Sequence, residues 1–106
     1  MKEITVQELH LKKKNGDSFF LLDVREPFEY QISNIDGKLI PLDQLSDRLE
    51  EIDVQKNEEV IVMCRSGSRS AKATKMLIDQ GFSNVKNLKG GVNEWAREID
   101  SSLPIY

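Results

Sequence analysis

The sequence predicts an α/β fold in which a parallel sheet carries helices on both of its faces. Two continuous apolar runs, FFLLDV at positions 19–24 and VIVM at positions 60–63, are typical of strands that are buried on both sides. Segments with helical periodicity alternate with these strands along the chain. Ligands of such sheets bind at the carboxyl ends of the strands, and both runs lead into polar, reactive residues. The functional site is therefore expected at that edge.

The first half of the chain contains two predicted helices and a short strand around FFLLDV. Thr5 and Glu8 form the T-x-x-E pattern of a capping box, which predicts a helix over VQELHLKKK that ends at Asn15-Gly16-Asp17. Pro27 suits the first position of a short helix, PFEYQI, because its missing N–H would be unpaired there anyway. Asp36-Gly37 marks a turn, and KLIPL is interpreted as a short strand.

The second half continues the alternation of helices and strands. An amphipathic α-helix is predicted from apolar residues that recur three or four positions apart, namely Leu42, Leu45, Leu49 and Ile52. After VIVM, a helix is expected from about residue 70 to residue 80, with Gly81 as its stop. NVKNL is interpreted as a further strand. Gly90-Gly91 then opens a last helix, in which Trp95 belongs to an apolar stripe that faces the core.

Length, charge and cysteine content exclude several classes of protein. The chain has 106 residues, so positions 1–106 are interpreted as a single domain. A net charge of −3 argues against nucleic-acid binding, and no apolar run has the length of a signal peptide or a membrane span. One cysteine and one histidine, Cys64 and His10, do not make a structural zinc site. These features predict a cytoplasmic monomer with a reduced thiol and no metal or cofactor.

The segment CRSGSRS, which follows VIVM, has the composition of an anion cradle. Glycine and serine let the backbone curl so that successive N–H groups point inward, and the helix that follows adds its positive end. Two arginines add full charges. A thiol in such surroundings has a lowered pKa, which makes it a nucleophile at neutral pH. We therefore expect Cys64 to be catalytic and the rest of the loop to bind substrate, namely Arg65, Ser66, Gly67, Ser68, Arg69 and Ser70.

Several other side chains have two interpretations. Arg25, which follows the first strand, either lines the pocket as a substrate contact or pairs with Asp23, Glu26 or Glu29 to hold a loop. Arg69 likewise either contacts substrate or braces the loop. The serines of the loop are expected to act through their backbone N–H groups. His10 is predicted to lie at the surface, while Phe28 and Tyr30 are predicted to pack in the core.

Three segments resemble the rhodanese family of sulfurtransferases. CRSGSRS is similar to the active-site loop C-R-S-G-x-R-S of that family, and LLDVREPFEY at positions 21–30 is similar to its D-V-R-E-x-x-E-Y segment. NLKGGVNEWAREIDSSLPIY, at positions 87–106, resembles the closing segment with G-G-x-x-x-W and a Leu-Pro tail. The three segments occur in the family's order, so the resemblance covers nearly the whole chain.

The resemblance implies both an architecture and a reaction. It implies a three-layer α/β/α sandwich around a five-stranded, mainly parallel sheet. It also implies that Cys64 takes a sulfane sulfur from a small anionic donor such as thiosulfate and becomes a persulfide. The persulfide then passes the sulfur to cyanide, to a thiol or to a protein. One segment departs from the family pattern G-H-I-x-G-A, since Ser33, Asn34 and Lys38 replace its first glycine, its histidine and its alanine. The fold is expected to tolerate these changes.

Two other functions compete with sulfur transfer to a small molecule. Cysteine phosphatases and arsenate reductases have related anion loops, but phosphatases have five residues between cysteine and arginine, whereas four separate Cys64 from Arg69. Met63 also occupies a position that is often histidine in phosphatases. The other alternative is a module that either binds without turnover or relays sulfur to a partner protein. A tail such as EIDSSLPIY resembles rhodanese domains that are fused to enzymes activating sulfur-carrier proteins.

Overall fold

All five strands belong to one parallel sheet. The computed structural model describes residues 1–106. Its strands are β1 (Glu3–Ile4), β2 (Phe20–Asp23), β3 (Lys38–Leu39), β4 (Val60–Met63) and β5 (Val85–Leu88). Its α-helices are α1 (Val6–Asn15), α2 (Pro27–Ile32), α3 (Ser68–Asp79) and α4 (Gly91–Glu98). The strand order is β1-β5-β4-β2-β3, and every pairing is parallel, so the predicted α/β class is confirmed.

Apolar side chains on the two faces of the sheet build two separate cores. On one face, Val60 and Val62 of β4 pack with Leu77 of α3. On the other face, Ile61 and Met63 of the same strand belong to the cluster that includes residues of α1 and α4. All four residues of β4 are completely buried, which explains why the central strand is apolar throughout instead of alternating. The expected three-layer α/β/α sandwich is thereby confirmed.

Local signals placed the helix boundaries well. The capping box of α1 is formed, since the Thr5 and Glu8 side chains each accept a hydrogen bond from the other residue's backbone N–H. Helix α2 spans the predicted PFEYQI, with Pro27 at its start. Helix α3 begins at Ser68, two positions earlier than expected, because Gly67 turns the chain directly into it. Strand β1 was not predicted, since two residues are too few for a periodic pattern.

The segment with four spaced apolar residues is not the predicted α-helix. It forms two 3-10 helices, Leu42–Asp47 and Leu49–Glu51, which meet at Arg48 with φ −128°. Leu42 and Leu45 lie three positions apart in the first piece, and Leu49 lies three positions before Ile52, which caps the second piece. This spacing is one turn of a 3-10 helix, and the four-residue step falls across the break. The segment therefore still turns its apolar side toward the core, because Leu45 and Ile52 are buried.

The strand register brings the ends of the two central strands to the same edge. Phe20 pairs with Val60 and Asp23 pairs with Met63, so β2 and β4 end side by side. The residues that follow them, beginning with Val24 and Cys64, leave the sheet together, and the Val24 N–H donates to the Met63 carbonyl over 3.0 Å. This edge is where the chemistry was expected. No helix of the protein combines the length and the apolar character that crossing a bilayer requires.

Candidate active site

Cys64 lies at the bottom of a tight loop that joins β4 to α3. Its side chain is buried, with the residue only 1% exposed, and its sulfur accepts a hydrogen bond from the Gly67 N–H over 3.1 Å. The Ser70 hydroxyl lies 3.3 Å from the same sulfur. Gly67 has φ 120°, a left-handed conformation that only glycine adopts without strain, and this lets the loop turn its N–H inward. The predicted cradle is therefore formed around the sulfur.

Hydrogen bonding lowers the pKa of the Cys64 thiol below its ordinary value. Burial acts in the opposite direction, because it disfavours the thiolate. When its hydrogen points to the sulfur, the Ser70 hydroxyl joins the backbone N–H groups of Ser70, Gly67 and Ser66, and together they outweigh burial by stabilising the thiolate. This direction agrees with the expectation from the loop composition, and it makes the sulfur more nucleophilic at neutral pH than a free cysteine.

Helix α4 clamps the loop from behind. The Val92 N–H donates to the Cys64 carbonyl over 2.9 Å, and the Asn93 N–H donates to the Arg65 carbonyl over 3.2 Å. A Cβ atom on Gly91 would collide with both of these carbonyls, so the second glycine of the G-G pair is required by close approach. The first turn of α4 therefore uses its free N–H groups to fix the backbone at Cys64 and Arg65.

Two of the three arginines that were predicted to bind substrate form ion pairs with carboxylates. Arg69 forms a two-pronged ion pair with Glu29 of α2, with nitrogen–oxygen distances of 2.6 and 2.7 Å. The pair lowers the pKa of Glu29 to about 2, although burial acts against this. Arg25 is completely buried and paired with Asp23 at 2.8 Å. Its other N–H groups donate to the carbonyls of Glu29 and Ser33 and to a tyrosine hydroxyl. Of the two predicted roles of Arg25, substrate contact and pairing with a carboxylate, the structure shows the pairing.

Arg65 has no carboxylate partner. Its guanidinium carbon lies 4.8 Å from the centre of the Tyr106 ring, and the residue is exposed at the rim of the loop. The Tyr106 hydroxyl donates to Glu29 over 2.8 Å and accepts from Arg25 over 2.8 Å. The tail of the chain thus lies between the loop and α2. Of the three arginines, Arg65 is therefore the one without a carboxylate partner.

The sequence did not assign a role at this site to three residues, Asn87, Asn93 and Tyr106, and it indicated Glu29 only as a possible partner of Arg25, not of Arg69. Asn93 and Tyr106 carried no local signal; the Asn93 amide binds the Tyr106 backbone at both its N–H and its carbonyl. Asn87 of β5 bonds to Ser70 and to the Gly67 carbonyl. Its one signal was a small polar residue at a buried position of a strand, which requires a hydrogen-bond partner.

A groove of about 480 Å³ opens beside the loop. Ser66 forms one part of its wall, and the starts of α1 and α4 form the rest, with Gln7, Lys89 and Glu94 among the lining residues. The exposed Ser66 and Ser68 side chains make no hydrogen bond within the protein, whereas Ser70 is completely buried. The groove therefore gives access to the edge of the cradle from the side of β5.

Comparison with known proteins agrees with this geometry. The family model of the Rhodanese-like domain matches residues 5–98. The protein belongs to the Rhodanese-like domain family. A rhodanese-like domain protein from Staphylococcus aureus has a similar solved structure, with a TM-score of 0.83 and 34% identity over 100% of this chain and 99% of that one. A rhodanese-related protein from Thermoplasma volcanium has a TM-score of 0.81 and 29% identity over 93% of this chain and 94% of that one.

Curated relatives of this rhodanese-like domain are longer proteins. Adenylyltransferase and sulfurtransferase UBA4 of Debaryomyces hansenii is 39% identical over 97% of this chain and 25% of its own length. Rhodanese-like/PpiC domain-containing protein 12, chloroplastic, of Arabidopsis thaliana is 37% identical over 100% of this chain and 38% of its own length. The chain thus spans about a quarter to two-fifths of the length of these two relatives.

The segment that departs from the family pattern keeps the rhodanese fold through other contacts. The Ser33 carbonyl accepts from Arg25 over 2.7 Å, and Lys38 lies in β3 and pairs with Glu51 at 3.2 Å. Asn34 bonds to the Tyr30 carbonyl and accepts from the Asp36 N–H. Asn34 and Lys38 thus make side-chain contacts of their own, whereas the Ser33 carbonyl contact requires no particular side chain and the Ser33 hydroxyl is buried without a hydrogen-bond partner. The fold accommodates the three replacements, as expected.

Three further residues complete the comparison with the sequence predictions. Trp95 is in the core as predicted, with 6% exposure. His10 is partly buried, because its ring lies edge-on to Trp95 at 5.8 Å, so the prediction of a surface histidine is only partly right. The prediction that Phe28 packs in the core is wrong. It is 64% exposed, because α2 turns Glu29 inward to meet Arg69 and so directs its neighbour outward.

Proposed function

We propose that this rhodanese-like domain is a sulfurtransferase that carries a sulfane sulfur as a Cys64 persulfide. The observation that carries the proposal is the buried sulfur of Cys64, held by the Gly67 N–H and next to the Ser70 hydroxyl at the end of β4. A terminal persulfide sulfur is negatively charged, so it gains from the same inward N–H groups that stabilise the thiolate. Membership in the rhodanese-like family supports sulfur transfer in general.

The reaction has two half-reactions in which charge and atoms balance. The Cys64 thiolate attacks the sulfane sulfur of the donor, forms a sulfur–sulfur bond and expels the remainder of the donor, which is sulfite when thiosulfate is used. An acceptor thiolate or cyanide then attacks the terminal sulfur and leaves with it, and the Cys64 thiolate returns. A single cysteine is sufficient, because the acceptor takes the sulfur away. The residues of the loop provide the anion cradle in both steps, with no metal or cofactor.

Arg65 is proposed to attract the anionic donor. It is exposed at the rim and free of carboxylates, whereas Arg69 and Arg25 already pair with Glu29 and Asp23. Serine hydroxyls at positions 66 and 68 face outward, so Ser66, Gly67, Ser68 and Ser70 contribute chiefly through backbone N–H groups. Arg69 contributes its charge through the ion pair that holds the loop against α2, and Arg25 holds the neighbouring turn.

A protein is the better supported acceptor than cyanide. The relative from Debaryomyces hansenii carries both adenylyltransferase and sulfurtransferase in its name, and this chain covers 25% of its length. We therefore propose a sulfur relay to a partner protein, with thiosulfate:cyanide transfer as the alternative. A cytosolic location is proposed because a lone thiol stays reduced there, although the Arabidopsis relative is named chloroplastic.

Phosphatase or arsenate-reductase chemistry is the less supported alternative. Only four residues separate Cys64 from Arg69, which gives a ring of six residues where phosphatases use seven. Arg69 is also bound to Glu29 rather than free to cap a phosphate. A smaller ring suits one sulfur atom better than a tetrahedral phosphate.

The decisive experiment is mass spectrometry of the intact protein after incubation with thiosulfate or with a small persulfide donor. One added sulfur atom, lost on treatment with cyanide and absent from Cys64→Ser, is expected. No added sulfur with either donor would contradict the proposal. Capture of partners from a lysate without reducing agents then tests the relay, with Cys64→Ser as the control. Sulfur recovered only in small molecules would favour the alternative acceptor.

A further inference from the structure

A buried amide lies behind the nucleophile and has no part in the reaction described above. Asn87 of β5 is 3% exposed, and its oxygen Oδ1 lies 2.5 Å from the Ser70 hydroxyl oxygen. Its nitrogen Nδ2 donates to the Gly67 carbonyl over 3.2 Å. Ser70 in turn lies 3.3 Å from the Cys64 sulfur. A buried chain of contacts therefore runs from Asn87 through Ser70 to Cys64.

The hydroxyl hydrogen of Ser70 cannot satisfy every acceptor in this series of contacts. The Ser70 hydroxyl has one hydrogen, and three acceptors surround it, namely Asn87 Oδ1, the Gly67 carbonyl at 3.1 Å and the Cys64 sulfur. Two oxygens at 2.5 Å need a hydrogen between them. The amide cannot supply it, because its own hydrogens are on Nδ2, which faces Gly67. Ser70 therefore donates to Asn87 in this arrangement.

The direction of that hydrogen bond affects the sulfur. While Ser70 donates to Asn87, its oxygen is free to accept from the Cys64 S–H, which favours the neutral thiol. A thiolate has no hydrogen to give and instead requires one from Ser70. Ser70 can donate to the sulfur only by giving up its hydrogen bond to Asn87. The Ser70 and Asn87 oxygens are then in close contact without a hydrogen between them. Formation of the thiolate therefore competes directly with the Asn87–Ser70 bond.

We infer that Asn87 is a positioning residue that competes with Cys64 for the single hydroxyl hydrogen of Ser70 and so limits how readily Cys64 becomes a thiolate. The inference concerns the same sulfur as the proposed function and takes its functional meaning from it. The loop N–H groups favour the thiolate, whereas Asn87 opposes it. The balance between them sets the fraction of nucleophile that is ready at neutral pH.

Other charged groups near Cys64 are not bonded to Asn87. Arg65 follows Cys64 in the loop and stacks on the tail at Tyr106, while Arg69 of α3 is paired with Glu29 of α2. From α4, a backbone N–H and not a charge reaches the carbonyl of Cys64. In the turn after β2, Asp23 and Arg25 are buried and bond to each other, and the other N–H groups of Arg25 donate to Glu29, Ser33 and Tyr106. Replacing Asn87 therefore leaves these groups and their charges in place.

The test measures ionisation of Cys64 from the rate of alkylation by iodoacetamide as a function of pH, on the full chain. Asn87→Leu keeps a similar volume but cannot accept a hydrogen bond, so the apparent pKa of Cys64 should fall by about 0.5 to 1 unit. Asn87→Asp keeps the shape and accepts more strongly, so the pKa should rise. A residue that merely supports the fold would not shift the profile in opposite directions with these two variants.

The Ser70→Ala background tests whether the effect passes through Ser70. There, Asn87→Leu should leave the pKa unchanged, and the rise with Asn87→Asp should shrink to the direct effect of its charge. A fall that is equal in both backgrounds would overturn the inference, as would a rise or no shift with Asn87→Leu in the native background. Should Asn87→Leu not fold, Asn87→Ala is measured in the same way, with folding checked by circular dichroism.

The alkylation profile requires neither a sulfur donor nor an acceptor. The expected shifts in a protein that forms no persulfide would uphold the role of Asn87 and reject the proposed function. Normal persulfide formation without the pKa shifts would uphold the proposed function and reject the role of Asn87.

Discussion

The three arginines near Cys64 carry the same charge but have different partners. Arg25 and Arg69 are fixed by carboxylates, and Arg69 with Glu29 ties the start of α3 to α2. Arg65 is at the rim and stacks on an aromatic ring. The carboxylate partners of Arg25 and Arg69 neutralise their charges and fix part of their N–H groups, so the three arginines are not equivalent toward an anion. We therefore propose that Arg25 and Arg69 brace the site and that Arg65 attracts the donor.

Replacing Arg65 with alanine should weaken the reaction with thiosulfate. One charge-assisted contact is lost, so the concentration of thiosulfate that gives half-maximal persulfide formation is expected to rise about tenfold or more. The free energy of unfolding should change by no more than about 1 kcal/mol, since only the contact with Tyr106 is lost. Arg97→Ala, at an exposed position paired with Glu94, is the matched control and should leave both quantities unchanged. An unaltered thiosulfate dependence in Arg65→Ala would argue against its role.

The Glu29–Arg69 pair should make stability depend on acid pH. Because the folded protein lowers the pKa of Glu29 from 4.5 to about 2, the pair stabilises the fold above pH 4.5. That contribution is lost as the pH falls from 4.5 through 2. Glu29→Gln should therefore lower stability at neutral pH and flatten this acid decline, measured by urea unfolding at several pH values.

Glu51 provides a matched control for this acid dependence. Its pKa is also lowered to about 2, by Arg48 and Lys38, but the Glu51 side chain is 30% exposed, whereas that of Glu29 is 6% exposed. Salt screens exposed pairs far more than buried ones. High salt should thus remove the effect of Glu51→Gln and leave most of that of Glu29→Gln. Equal sensitivity of both variants to salt would contradict the buried character of the Glu29 pair.

At the scale of elements, the site is a junction between a strand end and two helix starts. Strand β4 delivers Cys64, the start of α3 curls around its sulfur, and the start of α4 holds its backbone carbonyl. Free N–H groups at helix starts need acceptors, and here the sulfur and the loop carbonyls supply them. The two helices thus satisfy their own termini by building the cradle.

Gly91→Ala should disturb the nucleophile through its backbone. A methyl group at Gly91 would collide with the carbonyls of Cys64 and Arg65. We expect a loss of stability well beyond the roughly 1 kcal/mol that a left-handed alanine costs by itself, and a changed alkylation rate of Cys64. Gly16→Ala is the matched control, because Gly16 also has a positive φ, 70°, but has open space around it. Losses of equal size in the two variants would show that close approach is not what selects glycine at Gly91.

At the scale of the whole molecule, contacts between distant parts of the chain close the site. The Tyr106 hydroxyl joins Arg25 and Glu29, which lie 81 and 77 positions away, and Asn93 holds its backbone. The two faces of the sheet carry separate apolar cores. Tyr106 bonds to Asn93 of α4 and to Glu29 of α2, so the tail is one of the features that connect these two helices at the edge of the sheet. The site therefore depends on residues that are far apart in the sequence.

Tyr106→Phe should reveal this long-range connection. The ring and its contact with Arg65 remain, but a buried N–H of Arg25 loses its partner, which is expected to cost about 1 to 3 kcal/mol in the free energy of unfolding. Tyr30→Phe serves as the comparison, because the Tyr30 hydroxyl makes a single bond to the Gly37 carbonyl and leaves no charged group unpaired. A smaller loss for Tyr106→Phe than for Tyr30→Phe, by urea unfolding, would contradict the proposed connection.

The sequence by itself determined the features that depend on neighbours within one or two turns. Apolar runs identified β2 and β4, the Thr5 capping box and Pro27 placed two helix starts, and the composition of the loop indicated an anion cradle at Cys64. These signals are local, because periodicity, caps and turns act over about four residues. The same spacing of leucines suited two helix types, and only packing on the sheet distinguished the 3-10 helices from an α-helix.

Only the tertiary structure decided which side chains pair with one another. Glu29 meets Arg69 across 40 positions, Asn87 meets Ser70 across 17, and Tyr106 reaches Arg25 across 81. Such partners are brought together by the crossovers of a parallel sheet, which bring strand ends to one edge but leave no periodic mark in the sequence. The candidate nucleophile, Cys64, was therefore predicted from its own surroundings in the chain. Its partners became evident only when the sheet placed β2, β4 and β5 side by side.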